Sequence, residues 1–288
     1  MEFRSVATVE EAVAWLAERG EDTAVLAGGT DVTIQRLRGE IDPAALLFVG
    51  RIAGLDGVAG NGDTLIGALA THLTLRSHPR ILDQAPALAE AAATVGGWQT
   101  QAAGTIGGNV CNASPAADTA PPLLAAGAEF ELTGPNGARC VRAEDFFLGR
   151  RQTARRPDEL LTAITLPDRP AGTGEVYVKV GRRSAMEVAV VGLAVRLTLD
   201  PAGTVERARV AAASVAPLPF RATEAESILQ GSRLEDEAVG EAGRALTAAA
   251  SPIDDARASA AYRLAVLPRV LARAVRTAAS RAGGGPWT

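Results

Sequence analysis

The stretch that most constrains this chain runs from Thr105 to Thr119 and reads TIGGNVCNASPAADT. Two adjacent glycines, Gly107 and Gly108, follow a threonine there, and because they carry no Cβ atom they allow the backbone to approach a ligand closely. Successive free N–H groups in such a turn form a concavity that suits an anion. The stretch therefore predicts an anion-binding turn.

A second glycine pair lies upstream, where the sequence LAGGTDV covers residues 26–32. It follows Ala24–Leu26, which predicts a short buried strand, and it precedes a short helix that is capped by Thr30 or Asp31 and ends near Leu37. The strand–glycine–helix order aims the positive end of a helix at whatever the loop holds. Taken alone, this pattern is typical of an ordinary strand-to-helix turn. Together, the two loops could close on one pyrophosphate from both sides.

The composition excludes several classes of protein. The 288 residues are 47% hydrophobic, enough for a sizeable core in one large or two modest domains. The net charge of −4 argues against a nucleic-acid surface. Two cysteines, Cys111 and Cys140, are too few for a disulfide scaffold or an iron–sulfur cluster, so we expect reduced thiols in a cytoplasmic protein. We also expect no secretory signal and no membrane span, since no apolar run approaches ~20 residues.

Prolines and glycines cluster between Pro167 and Gly174, and this cluster predicts a junction between two domains. The first domain is predicted to cover residues 1–170, with two subdomains at about 1–55 and 56–170. The second is predicted to cover residues 175–288. Its pattern of three strands followed by helices is typical of an α+β domain.

Two capping boxes predict helix starts: Thr8 with Glu11, and Thr223 with Glu226. Further helices are predicted to begin at Thr71 and near Pro121, with others at residues 86–95, 224–230 and 235–250. Two arginine pairs, at 150–151 and 155–156, most simply form a solvated loop; a docking surface for a partner is the less favoured interpretation.

The two glycine stretches resemble those of the FAD-binding medium subunit of the molybdenum hydroxylases, the family of carbon monoxide dehydrogenase and bacterial xanthine dehydrogenase. The resemblance covers nearly the whole chain and includes Tyr177-x-Lys179-x-Gly181-Arg182 and the Ala261-Tyr262-Arg263 start of the last helix. It implies an α+β fold: a two-part FAD-binding domain of the PCMH type, followed by a smaller α+β C-terminal domain of antiparallel strands plus helices.

The resemblance also implies a set of residues that contact FAD: Leu26, Ala27, Gly28, Gly29, Thr30, Asp31, Val32, Thr105, Ile106, Gly107, Gly108, Asn109, Asp118, Leu161 and Lys179. The glycine loops would hold the pyrophosphate through backbone and amide groups, and Thr30 and Thr105 would add hydroxyls. Asp118 would bind the ribose; the structural alternative is a helix cap. Leu161 and Lys179 would lie near the isoalloxazine, where a positive charge could stabilise the reduced, anionic ring.

The chain departs from the family at one point. The family often has Gln-Ile-Arg-Asn where this chain has Gln99-Thr100-Gln101-Ala102, so the usual arginine is missing. The two histidines, His72 and His78, have no third ligand placed to complete a metal site. Structural or surface roles for them are favoured over covalent attachment to flavin.

The sequence has no Ser/His/Asp pattern, no nucleophile elbow and no His-Glu-x-x-His, so we predict no catalytic side chain. It also lacks a Gly-x-Gly-x-x-Gly after the first strand, which disfavours a Rossmann dinucleotide site.

The resemblance implies an oxidoreductase subunit that relays electrons. A large partner would hold the molybdopterin cofactor, and a small partner would carry [2Fe–2S] clusters. Electrons would pass through FAD on this chain to NAD⁺, a quinone or oxygen, in a dimer of heterotrimers. The alternatives are a stand-alone FAD-dependent oxidoreductase of the same fold and a scaffold subunit that has lost its cofactor.

Overall fold

The computed structural model describes residues 1–183 and 186–283. The first part of the chain is a three-stranded parallel sheet in the order β1-β3-β2 with two helices. Its elements are β1 (Glu2–Ser5), α1 (Val9–Arg19), β2 (Thr23–Leu26), α2 (Val32–Leu37) and β3 (Ala45–Phe48).

Helix α1 begins as predicted. Thr8 Oγ1 accepts a hydrogen bond from Glu11 N at 3.2 Å, and the Glu11 carboxylate accepts one from Ala7 N at 2.9 Å. Two otherwise free donors are thereby satisfied at the helix start. The helix then buries Ala12 and Leu16 in a small core with β3.

The second part is a five-stranded antiparallel sheet, in the order β4-β5-β10-β6-β7, with a set of mostly short helices. Its elements are β4 (Val58–Ala59), β5 (Thr64–Gly67), α3 (His72–Leu75), α4 (Pro79–Gln84), α5 (Pro86–Thr94), α6 (Trp98–Ala103), α7 (Ile106–Asn112), α8 (Ala120–Ala126), β6 (Glu129–Gly134), β7 (Gly137–Arg142), α9 (Ala143–Phe146), β8 (Phe147–Gly149), β9 (Gln152–Thr153) and β10 (Leu160–Leu166). Helix α8 is buried along its whole length, which anchors the end of the long glycine-containing stretch in the core.

The third part is a four-stranded antiparallel sheet in the order β11-β12-β13-β14, followed by three helices. Its elements are β11 (Thr173–Val180), β12 (Val191–Leu199), β13 (Val205–Ala213), β14 (Phe220–Arg221), α10 (Thr223–Leu229), α11 (Asp236–Ala249) and α12 (Ala260–Arg281). Helices α10 and α12 pack on this sheet, and α11 packs on both of them. The strands also contact α5 and α8, and Tyr177, Ala194 and Ala211 belong to the core of the second part.

The predicted α+β fold is confirmed by this arrangement of antiparallel sheets and helices, and the helices predicted at residues 86–95, 224–230 and 235–250 are present. Strand β10 ends at Leu166 and β11 begins at Thr173. The division into domains 1–170 and 175–288 stays a prediction. Of the predicted glycine-rich tail, residues 284–288 lie outside the described residues. Within residues 1–183 and 186–283, no helix has the length and apolarity that crossing a bilayer requires.

Two predicted caps are wrong. Thr223 is the first residue of α10 and caps nothing, because Glu226 is buried, accepts a hydrogen bond from Val210 N at 2.9 Å and forms an ion pair with Arg221. A buried carboxylate is held more strongly by a guanidinium than by a helix end. At α2, Asp31 occupies the cap position, but its side chain makes no capping hydrogen bond.

The contrast between the two threonines is testable by urea unfolding. We expect Thr8→Ala to lower the free energy of unfolding by about 1 kcal/mol, since it removes a capping acceptor. We expect Thr223→Ala to change the free energy of unfolding by less than about 0.5 kcal/mol, since Thr223 is exposed. Equal losses in the two variants would contradict the assignment of the caps.

Candidate functional site

A cavity of about 1060 Å³ lies between the first and second parts of the chain and is lined by both glycine stretches. The two stretches are neighbours in space. A Cβ atom on Gly28 would lie 1.7 Å from the carbonyl oxygen of Ala103, and one on Gly104 would lie 3.3 Å from Thr30 Oγ1. The first stretch therefore packs, backbone against backbone, on the residues that lead into the second.

Most of the residues predicted to contact the cofactor line this cavity. They are Ala27, Gly28, Gly29, Thr30, Asp31, Val32, Thr105, Gly107, Gly108, Asn109, Asp118 and Leu161. Three predicted residues do not line it. Leu26 ends β2, Ile106 is fully buried in the core, and Lys179 lines a smaller cavity beside the first.

The first glycine stretch presents free backbone donors. Gly29 has a φ of +72°, a left-handed conformation that a residue with a Cβ atom adopts only with strain. Among the described residues, no protein acceptor takes a hydrogen bond from the N–H groups of residues 28–32. Successive unpaired N–H groups in a turn of this kind form a concavity for an anion. The prediction of an anion-binding turn fits this stretch.

The second glycine stretch is not the predicted turn. Residues 106–112 form α7, and Thr105 caps it by accepting a hydrogen bond from Gly108 N at 3.1 Å. Gly107 N donates to Ala68 O at 2.9 Å, and Asn109 N donates to Thr105 O at 3.0 Å. The prediction of free N–H groups here is therefore wrong, because a helix cap and close packing on Ala68 use them.

The second stretch contributes side-chain amides to the site, and at Gly108 a surface without a side chain. Asn109 Oδ1 accepts a hydrogen bond from Thr119 Oγ1 at 2.6 Å, which fixes the amide at the cavity wall. Gln35 Nε2 donates to Asn112 Oδ1 at 2.7 Å and so ties α2 to α7. Gly108 is exposed on the cavity wall, so its missing side chain keeps that space open.

Asp118 does not cap α8. Its Oδ1 accepts a hydrogen bond from the Tyr177 hydroxyl at 2.6 Å, and its Oδ2 accepts one from Lys179 Nζ at 2.8 Å. Lys179 also donates to Thr94 O at 2.9 Å. Residues 177 and 179 are two positions apart on β11, so their side chains lie on the same face of the strand. Asp118 thus fastens the third part of the chain to the cavity wall.

Burial shifts the pKa values of Asp118 and Tyr177. It raises the pKa of the Asp118 carboxyl, while the charge and hydrogen bond of Lys179 act in the opposite direction. Burial, and then the neighbouring Asp118, raise the pKa of Tyr177 well above its ordinary value. Tyr177 is therefore a neutral donor at neutral pH, and Lys179 supplies the positive charge that a buried carboxylate requires.

His72 is a second buried polar residue that borders the cavity. It is only 2% exposed, and its Nδ1 atom has no hydrogen-bond partner in the described chain. Burial lowers the pKa of this imidazole to about 4, so it is neutral at pH 7. This nitrogen has no accessible surface, so it is an unsatisfied buried polar atom and is not a contact for a ligand in the cavity.

Sequence reasoning missed two arginines of the cavity wall. Arg151 and Arg155 both line the cavity, although the solvated loop was the simplest prediction for them. Arg151 lies in the turn between β8 and β9 with a left-handed φ of +59°. This backbone conformation sets the direction of the Arg151 side chain, and a left-handed φ at an arginine cannot be predicted from the sequence pattern.

The position of the missing family arginine is filled by an amide. Gln101 is buried, accepts a hydrogen bond from Arg76 Nη1 at 2.8 Å and donates one to Ala93 O at 2.9 Å. Arg76 also lies over the ring of Trp98, 5.5 Å from its centre. The guanidinium of Arg76 therefore supplies a positive charge beside Gln101.

The pKa of His72 predicts a window of pH-dependent stability. The folded state holds its proton more weakly than the unfolded chain, so stability falls as the pH falls from about 6.5 towards 4. Between pH 7 and 4.5 we expect His72 to account for a loss of about 2 kcal/mol in the free energy of unfolding. Urea unfolding of His72→Gln should show a correspondingly smaller loss over this range. Parallel profiles of the two proteins would contradict a buried, neutral His72.

The Asp118–Lys179 pair is testable by a double-mutant cycle. Lys179→Met leaves a buried carboxylate without its cation, and we expect a loss of about 3 kcal/mol in the free energy of unfolding. The double variant Asp118→Asn/Lys179→Met should regain part of this loss, because no unpaired charge remains. A single variant as stable as the parent would show that the pair does not hold the two parts together.

Comparisons with known proteins identify the family of this chain. Residues 1–169 match the family model of the FAD binding domain in molybdopterin dehydrogenase, and residues 176–278 match that of the CO dehydrogenase flavoprotein C-terminal domain. The chain is 34% identical to the carbon monoxide dehydrogenase medium chain of Hydrogenophaga pseudoflava over 97% of both chains. It is 30% identical to the xanthine dehydrogenase FAD-binding subunit of Escherichia coli O157:H7, over 98% of this chain and 97% of that one.

A solved structure shares the whole architecture. It is carbon monoxide dehydrogenase from Hydrogenophaga pseudoflava, in a form that lacks the Mo-pyranopterin moiety of the molybdenum cofactor. The TM-score is 0.94 at 35% identity, with 98% of each chain covered. These matches confirm the family resemblance. The chain belongs to the FAD-binding medium subunits of the molybdenum hydroxylase family, and it is an oxidoreductase subunit with that family's FAD-binding domain.

Proposed function

We propose that this chain is the electron-transfer subunit of a molybdopterin-dependent hydroxylase, acting between [2Fe–2S] clusters and an external acceptor. A large subunit with the molybdenum cofactor and a small iron–sulfur subunit would complete the complex, as a dimer of heterotrimers. The proposal rests on the cavity between the first two parts of the chain, which is large enough for a cofactor. The turn at residues 28–32 lines this cavity, and its N–H groups are unpaired in the described chain.

The residues of the cavity fit FAD. The N–H groups of residues 28–32 would hold the diphosphate, and the hydroxyl of Thr30 lies beside them on the wall. The side-chain amide of Asn109 would add a polar contact. Apolar lining residues supply the surface that a flat aromatic ring requires: Val95, Leu161, Met186 and Val188.

Thr105 and Asp118 keep part of their predicted roles within this proposal. The Thr105 hydroxyl accepts a hydrogen bond from Gly108, but its own proton is still available to a ligand. Each Asp118 oxygen accepts one hydrogen bond within the protein and has a second lone pair for a sugar hydroxyl. Lys179 would contribute by holding Asp118, because its Nζ donates to that carboxylate at 2.8 Å and it lines the smaller cavity rather than the main one.

The bound cofactor supplies the redox chemistry, taking up electrons and passing them on, and the protein supplies binding, orientation and exclusion of water. No described side chain therefore has to act as an acid, a base or a nucleophile. The two thiols, Cys111 and Cys140, form no disulfide. The cytoplasmic location stays a prediction.

The first test is the absorbance spectrum of the purified full-length chain before and after addition of FAD. We expect flavin bands that remain after gel filtration. A chain that shows no such bands and takes up no added FAD would overturn the proposal.

A variant tests the position of the cofactor. Gly108→Val places a side chain on the open cavity wall, where the Cβ atom meets only Thr105 Oγ1, at 3.0 Å. We expect FAD affinity to fall about 100-fold while circular dichroism is unchanged.

The matched control is Gly57→Val, because Gly57 is exposed, lies outside the cavity lining and has no atom within 4 Å of its Cβ position. It should bind FAD like the parent. If Gly108→Val also binds FAD like the parent, the cofactor does not lie against α7.

A further inference from the structure

The turn at residues 28–32 poses an electrostatic problem. Its unpaired N–H groups attract an anion, but the same turn carries Asp31, which lines the cavity. Burial raises the pKa of the Asp31 carboxyl, and the positive charge of Arg151 counteracts this rise. A carboxylate next to a diphosphate is repulsive, so a cation with free donors near this turn would strengthen binding.

Arg151 is placed to be that cation. Its backbone N–H donates to Ala113 O, directly after α7, at 3.0 Å. Its guanidinium Nη2 lies 2.7 Å from Glu40 Oε2, on the segment after α2. The residue therefore connects the chain beyond α7 with the chain beyond α2, and its side chain lines the cavity. The Arg151 and Glu40 side chains are 38% and 36% exposed, so a ligand can reach the guanidinium.

Each neighbouring cation has close partners, as Arg151 has in Glu40, and Arg155 also lines the main cavity. Arg155 Nη1 is directed at carbonyl oxygens of its own loop, the nearest being Glu159 O at 2.7 Å. Lys179 is paired with Asp118, and Arg182 is paired with Glu187. A guanidinium has five N–H donors, and the described contacts of Arg151 use only the side that faces Glu40.

We propose that Arg151 is the residue that recognises the diphosphate of FAD and selects it over a flavin without phosphate, with Glu40 holding its side chain in position. The inference rests on the proposed function, because it concerns the same cavity. It adds a determinant that lies outside both glycine stretches. Arginine suits the role, since its planar fork binds phosphate oxygens through two parallel hydrogen bonds.

The test compares FAD with riboflavin on the flavin-free, full-length chain. Binding of each flavin is followed by fluorescence quenching at low and high salt. We expect Arg151→Gln to weaken FAD binding by about tenfold to 100-fold and to flatten its salt dependence, with riboflavin affinity unchanged. Arg151→Lys keeps the charge but loses the planar fork, so it should retain the salt dependence and recover only part of the FAD affinity.

The matched control is Arg150→Gln. It removes the same charge one residue away, from an exposed side chain that does not line the cavity, and it should bind FAD like the parent. Should Arg151→Gln fail to fold by circular dichroism, Arg151→Asn replaces it, because asparagine accepts the left-handed backbone.

Two results would overturn the inference and leave the proposed function intact: unchanged FAD affinity in Arg151→Gln, or an equal loss in Arg150→Gln. A parent chain that binds neither flavin would overturn the proposed function as well.

Discussion

The contact on which the site depends is the one between Gly28 and the carbonyl of Ala103. No residue larger than glycine fits there, since a Cβ atom would lie 1.7 Å from the oxygen. This contact brings the turn after β2 against the end of α6, and so defines one side of the cavity between the first two parts of the chain. The Gln35–Asn112 hydrogen bond and the Glu40–Arg151 ion pair fasten the same two parts elsewhere. A cleft between two parts held in this way is the usual place for a large cofactor.

The two glycine stretches contribute different groups to the cavity, and the third part of the chain binds to the cavity wall. The first stretch provides unpaired N–H groups, whereas the second provides a capped helix, an amide and a bare wall. Strand β11 then reaches the cavity wall through Tyr177 and Lys179, which both bind Asp118. The C-terminal sheet and the FAD-binding domain also share an apolar core, to which Tyr177, Ala194 and Ala211 belong. In the account proposed here, the protein holds FAD and its surroundings fixed, and the cofactor carries the electrons.

Much of the fold was accessible from the sequence because its signals are local. The capping box at Thr8 and the strand–glycine–helix order around Gly28 each act over a few residues, and the structure confirms the helix, strand and turn that they predict. The errors came from long-range competition. Thr223 lies inside α10, and its predicted partner Glu226 binds Arg221 and Val210 N instead. Gly107 and Gly108 lie in a helix that Thr105 caps, and Gly107 N donates to Ala68 O. Arg151 was missed because its side-chain position follows from a left-handed φ that sequence does not reveal.

We propose that the turn at residues 28–32, and not the start of α7, gives its backbone N–H groups to the ligand. Amide hydrogen exchange, followed residue by residue by NMR with and without FAD, measures this directly. The account predicts that FAD slows exchange at Gly28–Val32, whose N–H groups are unpaired in the described chain, and leaves exchange at Ile106–Asn109 nearly unchanged, since those N–H groups are already bonded. Protection confined to Ile106–Asn109, with none at Gly28–Val32, would contradict it.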